Sequence, residues 1–181
     1  ISSSYAYEMF PRDDYLSPGT ILPFSTSTGC YYGKCSFCPE TAEGNAYHQL
    51  SPEKAVKGLR RLALGARPSL IHIVDNAISP AVLKAIVREP PGRPWYGFVR
   101  MTQELTDPQF CRELRASGCV LLKIGVESGD QDVLDAMHKG IRLEDVSRGL
   151  KAICGAGIGT YVYLLFGTPR ENELSATRTL D

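Results

Sequence analysis

The sequence has no run of about eighteen apolar residues, so no segment reads as a membrane-spanning helix. It has no excess charge of either sign, with Lys+Arg and Asp+Glu at 20 each. A balanced chain carries no electrostatic footprint for nucleic acid, and a nucleic-acid partner is disfavoured. Arg60, Arg61 and Arg67 read as a solvated helix face. The opening "ISSSYAYEMF" lacks a basic start followed by an apolar core, which excludes a signal peptide. It begins with Ile instead of Met, and the chain reads as a piece of something longer. A disulfide framework is missing too. Small secreted domains spread their cysteines, whereas here Cys30, Cys35 and Cys38 cluster and Cys111, Cys119 and Cys154 are scattered. That usage, in a globular chain of 181 residues, points to a metal or redox site in a reducing, cytoplasmic compartment.

What is present centres on "GCYYGKCSFCPE", Gly29 to Glu40. Three readings compete for it: a disulfide with a spare thiol, a zinc site, and a metal site with one coordination position left open. A closed zinc site takes four ligands. The nearest fourth candidates are His48 and Glu40. Cys119 opens a strand and so belongs at the opposite sheet edge. Cys111 and Cys154 fall in helical patterns, where a buried free cysteine acts as a small hydrophobe. A four-iron, four-sulfur cluster held by three thiolates leaves one iron free for a substrate or cofactor.

Around this loop, strand and helix signals alternate. Residues 1–20 are polar with interspersed aromatics, Tyr5 and Tyr15 among them, and form a lead-in segment lying on the domain. "TILPFSTST" is a strand running into the cysteine loop. "SPEKAVKGLRRLAL", "SPAVLKAIV" and "DPQFCRELRASG" open with Ser-Pro or Asp-Pro, an N-cap followed by proline at the first helical position. "LIHIVDN", "PWYGFVRM", "CVLLKIGVE" and "GTYVYLLFG" are apolar strands, and "DQDVLDAM", "LEDVSRGLKAICGAG" and "ENELSATRTL" are helical. Near-continuous apolar strands predict burial on both faces. The alternation predicts a parallel sheet with helices outside, either doubly wound or a (β/α) barrel.

In both folds ligands meet the carboxyl ends of the strands. There the sequence places Cys30, Cys35 and Cys38, then Asp75 and Asn76, then Arg100, then Glu127 and Ser128, then Gly167. Polar groups follow apolar runs at one edge, and the cysteines share it. His72 and His138 read as structural. Tyr161 and Tyr163 are expected to send one ring inward, as packing.

"GCYYGKCSFC" resembles the cluster loop of the radical S-adenosylmethionine (radical SAM) superfamily. "LKIGVESGDQDVLDAMHKG" and "AGIGTYVYLLFGTPRE" are similar to its fourth- and fifth-strand motifs. "DDYLSPGTILPF" is similar to the lead-in of members with an N-terminal cobalamin-binding domain. The resemblance implies a partial (β/α) TIM-like barrel of parallel strands, with residues 21–181 as the core and the chain stopping before the sixth strand. It implies a 4Fe-4S cluster on Cys30, Cys35 and Cys38, whose open iron chelates SAM, with cobalamin on a domain outside this chain. Phe37 would sit at the adenine, Asp75 and Asn76 at the methionyl amine, Glu127 at the ribose, Lys139 at the methionyl carboxylate, and Leu165 and Gly167 against the adenine, with Ser128 a further cofactor-binding candidate next to Glu127. The implied activity is cleavage of SAM to a radical that abstracts hydrogen from a small-molecule or peptide substrate. Its electron would come from flavodoxin or ferredoxin. The alternative is a non-catalytic zinc or iron-sulfur electron-transfer module on an α/β scaffold.

Overall fold

The computed structural model describes residues 7–11 and 14–180. Part of the lead-in, Tyr5 included, lies outside them. β1 (Ile21–Phe24) is followed by β2 (Ser27–Thr28), α1 (Pro39–Ala42), β3 (His48–Gln49), α2 (Pro52–Gly65), β4 (Leu70–Ile73) and α3 (Pro80–Arg88). Then come β5 (Trp95–Val99), α4 (Pro108–Ala116), β6 (Cys119–Glu127), α5 (Gln131–Ala136), α6 (Leu143–Gly155), β7 (Gly159–Leu164) and α7 (Glu173–Leu180).

The main sheet is five-stranded and parallel, in the order β1-β4-β5-β6-β7. A doubly wound sheet reverses its order at a switch point. Here the order only advances, which is the arrangement of a barrel wall. The proline-led helices form as their sequences dictate. The Ser51 hydroxyl accepts from the Lys54 N–H at 3.3 Å, Ser79 caps Val82 at 3.3 Å, and Asp107 caps Gln109 at 2.8 Å. α4 stops where Gly118 takes φ +99°, a conformation that glycine adopts without Cβ strain.

The hydrophobic core lies between one sheet face and the helices. Ile71, Ile73, Trp95, Leu122 and Ile124 meet Leu59, Leu83, Ile86, Leu114 and Ile153. The expectation of strands buried on both faces is corrected here. β5 alternates buried and half-buried residues along its length. Its second face, and that of β6, look into the inside of the barrel wall, where Tyr96, Phe98 and Lys123 are only half-buried. Their apolar character made them read as core. Tyr161 and Tyr163 are also corrected: residues two apart on a strand share a face, and their rings lie 4.8 Å apart.

β1 is a sheet edge and carries Pro23, a residue that edge strands tolerate because it has no N–H to offer a neighbour. The buried Tyr7 covers it, donating its hydroxyl to the Pro23 carbonyl. An antiparallel ribbon pairs β2 with β3, Ser27 opposite Gln49 and Thr28 opposite His48. It closes the base of the cysteine loop. Gly29, at φ +72°, is needed there, because a Cβ would stand 2.7 Å from the Ala46 carbonyl oxygen.

Candidate active site at the carboxyl edge of the sheet

The loop from Gly29 to Cys38 follows β2 and lies against the turn that follows α5. Two contacts fasten it, and a third holds Arg100 to the same turn. The Ser36 N–H donates to the Met137 carbonyl at 3.0 Å, the Tyr32 hydroxyl to the His138 carbonyl at 2.8 Å, and the Arg100 guanidinium to the Lys139 carbonyl. The turn is shaped to receive them, with His138 at φ +52° and Gly140 at φ +64°. A Cβ on Gly140 would collide with the Tyr32 hydroxyl oxygen at 2.0 Å.

Arg100, at the end of β5, joins these pieces. One guanidinium nitrogen lies 3.6 Å from the Cys35 sulfur, and the guanidinium carbon lies 3.6 Å from the centroid of the Tyr32 ring. Burial raises the Cys35 thiol pKa, while the Lys139 and Arg100 cations act in the opposite direction. Two cations beside a thiol are the environment that an anionic sulfur centre requires. The three thiols are free, Cys35 buried and Cys30 and Cys38 partly so. The Tyr31 hydroxyl, next to Cys30, is buried with no hydrogen-bond partner among the described residues, and burial raises its pKa to about 12.

The candidate fourth ligands point elsewhere. Glu40 accepts a 2.8 Å hydrogen bond from Asn76, and His48 stands exposed on β3. Among the described residues, no three His, Cys, Asp or Glu side chains gather closely enough to hold one ion. Zinc needs every ligand sulfur about 2.3 Å from a single point. A four-iron cluster spreads its thiolates over separate irons and so accepts wider spacing. Three free thiols on one loop, next to two cations, fit the cluster.

Beside the loop, Lys139 and Glu127 form an ion pair at 2.9 Å with both side chains largely buried. The Lys139 ammonium is 5.6 Å from the Phe37 ring centroid, and Phe37 is 39% exposed, so its ring is open to a ligand. Glu127 ends β6 with φ +74°, an unusual state for a residue with a side chain and one that concentrates at functional sites. Its carbonyl accepts from the Leu165 N–H at 2.8 Å, which brings the end of β7 alongside. Gly167 takes φ +78° and donates its N–H to Glu171.

Two residues expected at the cofactor have side chains already engaged within the protein. Asp75 is buried and its carboxylate is already engaged. It accepts from the N–H groups of Thr26 at 2.6 Å and Ser27 at 3.2 Å, and from the Thr26 hydroxyl. It fixes the chain between β1 and the cysteine loop. Ser128 is fully buried, with its hydroxyl between the Asp130 N–H at 3.1 Å and the Thr179 hydroxyl at 3.2 Å, so it seats α7. Arg100 is the residue whose role sequence reasoning missed. It stood at the right sheet edge, but nothing local tied it to a cysteine 65 positions away. Of the two cysteines expected to be buried in helices, Cys111 is buried and Cys154 is exposed, while Cys119 opens β6 and is buried.

Asp75→Asn is expected to keep the fold and lower its stability by about 1.5–3 kcal/mol, because an amide offers one acceptor oxygen where the carboxylate offers two. Urea denaturation checks this, and an unchanged midpoint would show that the Thr26 and Ser27 contacts carry no stability.

The radical SAM superfamily family model matches residues 24–181. Bacteriochlorophyllide d C-12(1)-methyltransferase of Chlorobaculum tepidum is 27% identical over 169 residues, covering 89% of this chain and 37% of that protein. The cobalamin-dependent S-adenosylmethionine radical enzyme OxsB, solved with aqua-cobalamin and S-adenosylmethionine bound, superposes with a TM-score of 0.71 at 19% identity, over 88% of this chain and 26% of that one. Methylornithine synthase (PylB) superposes with a TM-score of 0.59 at 17% identity, over 93% of this chain and 51% of that one. The chain thus spans about a third of the length of the curated relative and about a quarter of OxsB. Among the described residues, no helix is long and apolar enough to cross a membrane. With the family model covering nearly all of the parallel sheet and the whole cysteine loop, the zinc and electron-carrier readings give way: the chain belongs to the radical SAM superfamily.

Proposed function

We propose that this chain is the SAM-cleaving core of a radical SAM enzyme whose full-length form transfers a methyl group to an unactivated carbon with the help of cobalamin. The observation that carries the core of this reading is the three-thiol loop fastened beside the buried Glu127–Lys139 pair. Cys30, Cys35 and Cys38 ligate three irons of a 4Fe-4S cluster, leaving the fourth for SAM. Phe37, with Leu165 and Gly167, faces the adenine. Glu127 meets the ribose hydroxyls, and Lys139 the methionyl carboxylate. Asn76 lies nearest the methionyl amine, with Asp75 fixing the backbone that precedes the cysteines. When bound, the cluster and SAM supply one-electron cleavage of the sulfonium C–S bond to methionine and a 5′-deoxyadenosyl radical. The protein's share is to position the groups and exclude water. Residues 1–20 act as the lead-in and 21–181 as the core.

The methyl-transfer part is supported by the activity named for the Chlorobaculum relative. The cobalamin part is supported by the lead-in's resemblance and by the cobalamin-dependent enzyme that shares this fold. A cytoplasmic setting and a flavodoxin or ferredoxin reductant complete the reading. The test is anaerobic reconstitution of the full-length protein with iron, sulfide and cobalamin, followed by dithionite and SAM. Formation of 5′-deoxyadenosine with retained cobalamin is the expected result. A fully loaded cluster that leaves SAM intact would overturn the core reading. Cobalamin lost on gel filtration would remove that cofactor alone.

A further inference from the structure

The inner face of the sheet is not built like packing. Strand register sets His72 beside Tyr96, Phe98 beside Lys123, and Lys123 beside Tyr161. The rings form a nearly continuous floor. His72 and Tyr96 stack at 4.3 Å with planes 5° apart, Phe98 and Tyr163 stack at 5.4 Å, and Tyr161 meets Tyr163 at 4.8 Å. In the middle stands one cation. The Lys123 ammonium lies 5.3 Å from the Tyr96 ring centroid and 4.9 Å from that of Phe98. No carboxylate pairs with it among the described residues. Burial and the neighbouring Lys123 lower the His72 pKa, which favours neutral imidazole. The His72 Nε2 is buried without a hydrogen-bond partner among the described residues.

A half-buried lysine ringed by aromatics and lacking a counter-charge is a poor structural element, since an apolar residue would pack there at lower cost. It makes sense as half of an ion pair whose other half arrives with a ligand. The floor also leads to the site described above. Lys123, Gly125 and Glu127 follow one another on the same face of β6, so the backbone positions of Lys123 and Glu127 are about 13 Å apart along the strand. Gly125 keeps the passage open: a Cβ there would stand 2.4 Å from a Glu127 carboxylate oxygen and 3.0 Å from the Lys139 ammonium. From β4 to β7 the floor is about 14 Å wide, more than a single ring needs.

We infer that the inner face of the sheet binds a planar, conjugated substrate whose rings lie on Tyr96, Phe98, Tyr161 and Tyr163 and whose carboxylate pairs with Lys123. This rests on the reading that SAM is cleaved at the carboxyl edge, which places the ligand beneath the radical. One cation among four rings favours an aromatic carboxylate over a nucleic acid, which needs several phosphate contacts, and over an aliphatic peptide, which has no use for the rings.

The test needs neither SAM nor reductant, so it stands or fails apart from SAM cleavage. Calorimetric titration of the reconstituted full-length protein compares 2-naphthoate with the uncharged 2-naphthamide. Naphthoate is expected to bind about tenfold more tightly or better. Lys123→Met should abolish that preference while leaving naphthamide affinity within about twofold, and Tyr161→Leu should weaken both. Thermal melting confirms that each variant is folded. Equal binding of the two probes, a preference that survives Lys123→Met, or no binding of either, as when another segment of the full chain covers the floor, would overturn the inference. A wild-type protein that binds naphthoate but never cleaves SAM would retire the SAM reading and leave the floor assignment standing.

Discussion

Cys35→Ala is expected to strip the protein of its cluster. Iron should fall from about four per chain to near zero after anaerobic reconstitution. Cys35 is the buried member of the three thiols and the one that Arg100 approaches. Losing it leaves two ligands on the partly exposed part of the loop, too few to hold a cube against solvent and added thiol. Cys111→Ala is the matched control. Its sulfur is fully buried in α4 and directed at the Leu105 carbonyl at 3.4 Å. Burial raises its pKa to about 11, so it stays a neutral thiol near pH 7. That variant should keep its iron and lose only about 1 kcal/mol of stability. Equal iron in the two proteins would overturn the ligand assignment.

Glu127→Ala is expected to weaken SAM binding at least about tenfold while leaving iron in place. The carboxylate contributes in two ways. It is the acceptor proposed for the ribose, and it holds Lys139 where a methionyl carboxylate can reach it. Removing it leaves the Lys139 ammonium buried without its partner, a loss that costs about 3–5 kcal/mol in a fully buried pair. Glu127→Gln separates the two contributions, because it keeps an acceptor beside Lys139 while removing the charge. Gly125→Ala should reproduce the SAM defect without touching either charge, since its methyl group would push the pair apart. Isothermal titration on iron-matched samples decides the matter. Unchanged SAM affinity in Glu127→Ala would remove Glu127 from the site.

The ease of reading this chain from its sequence varied with the range of the signal. Ser51-Pro52, Ser79-Pro80 and Asp107-Pro108 are local signals that marked three helix starts correctly. The apolar runs marked the five strands of the sheet, and the thiols stood out by spacing alone. The β2–β3 ribbon and α1 were missed because two-residue strands and a four-residue helix have no period to detect. Asp75 and Ser128 were placed at the correct edge, but their partners, Thr26 and Thr179, lie 49 and 51 positions away and left no trace in the local pattern. The inner face of the sheet failed differently. Tyr96, Phe98 and Tyr163 looked like core because a ligand floor and a core are both apolar. Only Lys123 among them broke the pattern.

Electron paramagnetic resonance of the reconstituted, reduced full-length protein, recorded with and without SAM, tests the central claim most directly. The account predicts a reduced four-iron signal whose g-values shift when SAM is added, because SAM occupies the iron that Cys30, Cys35 and Cys38 leave open. A four-iron signal indifferent to SAM would contradict it.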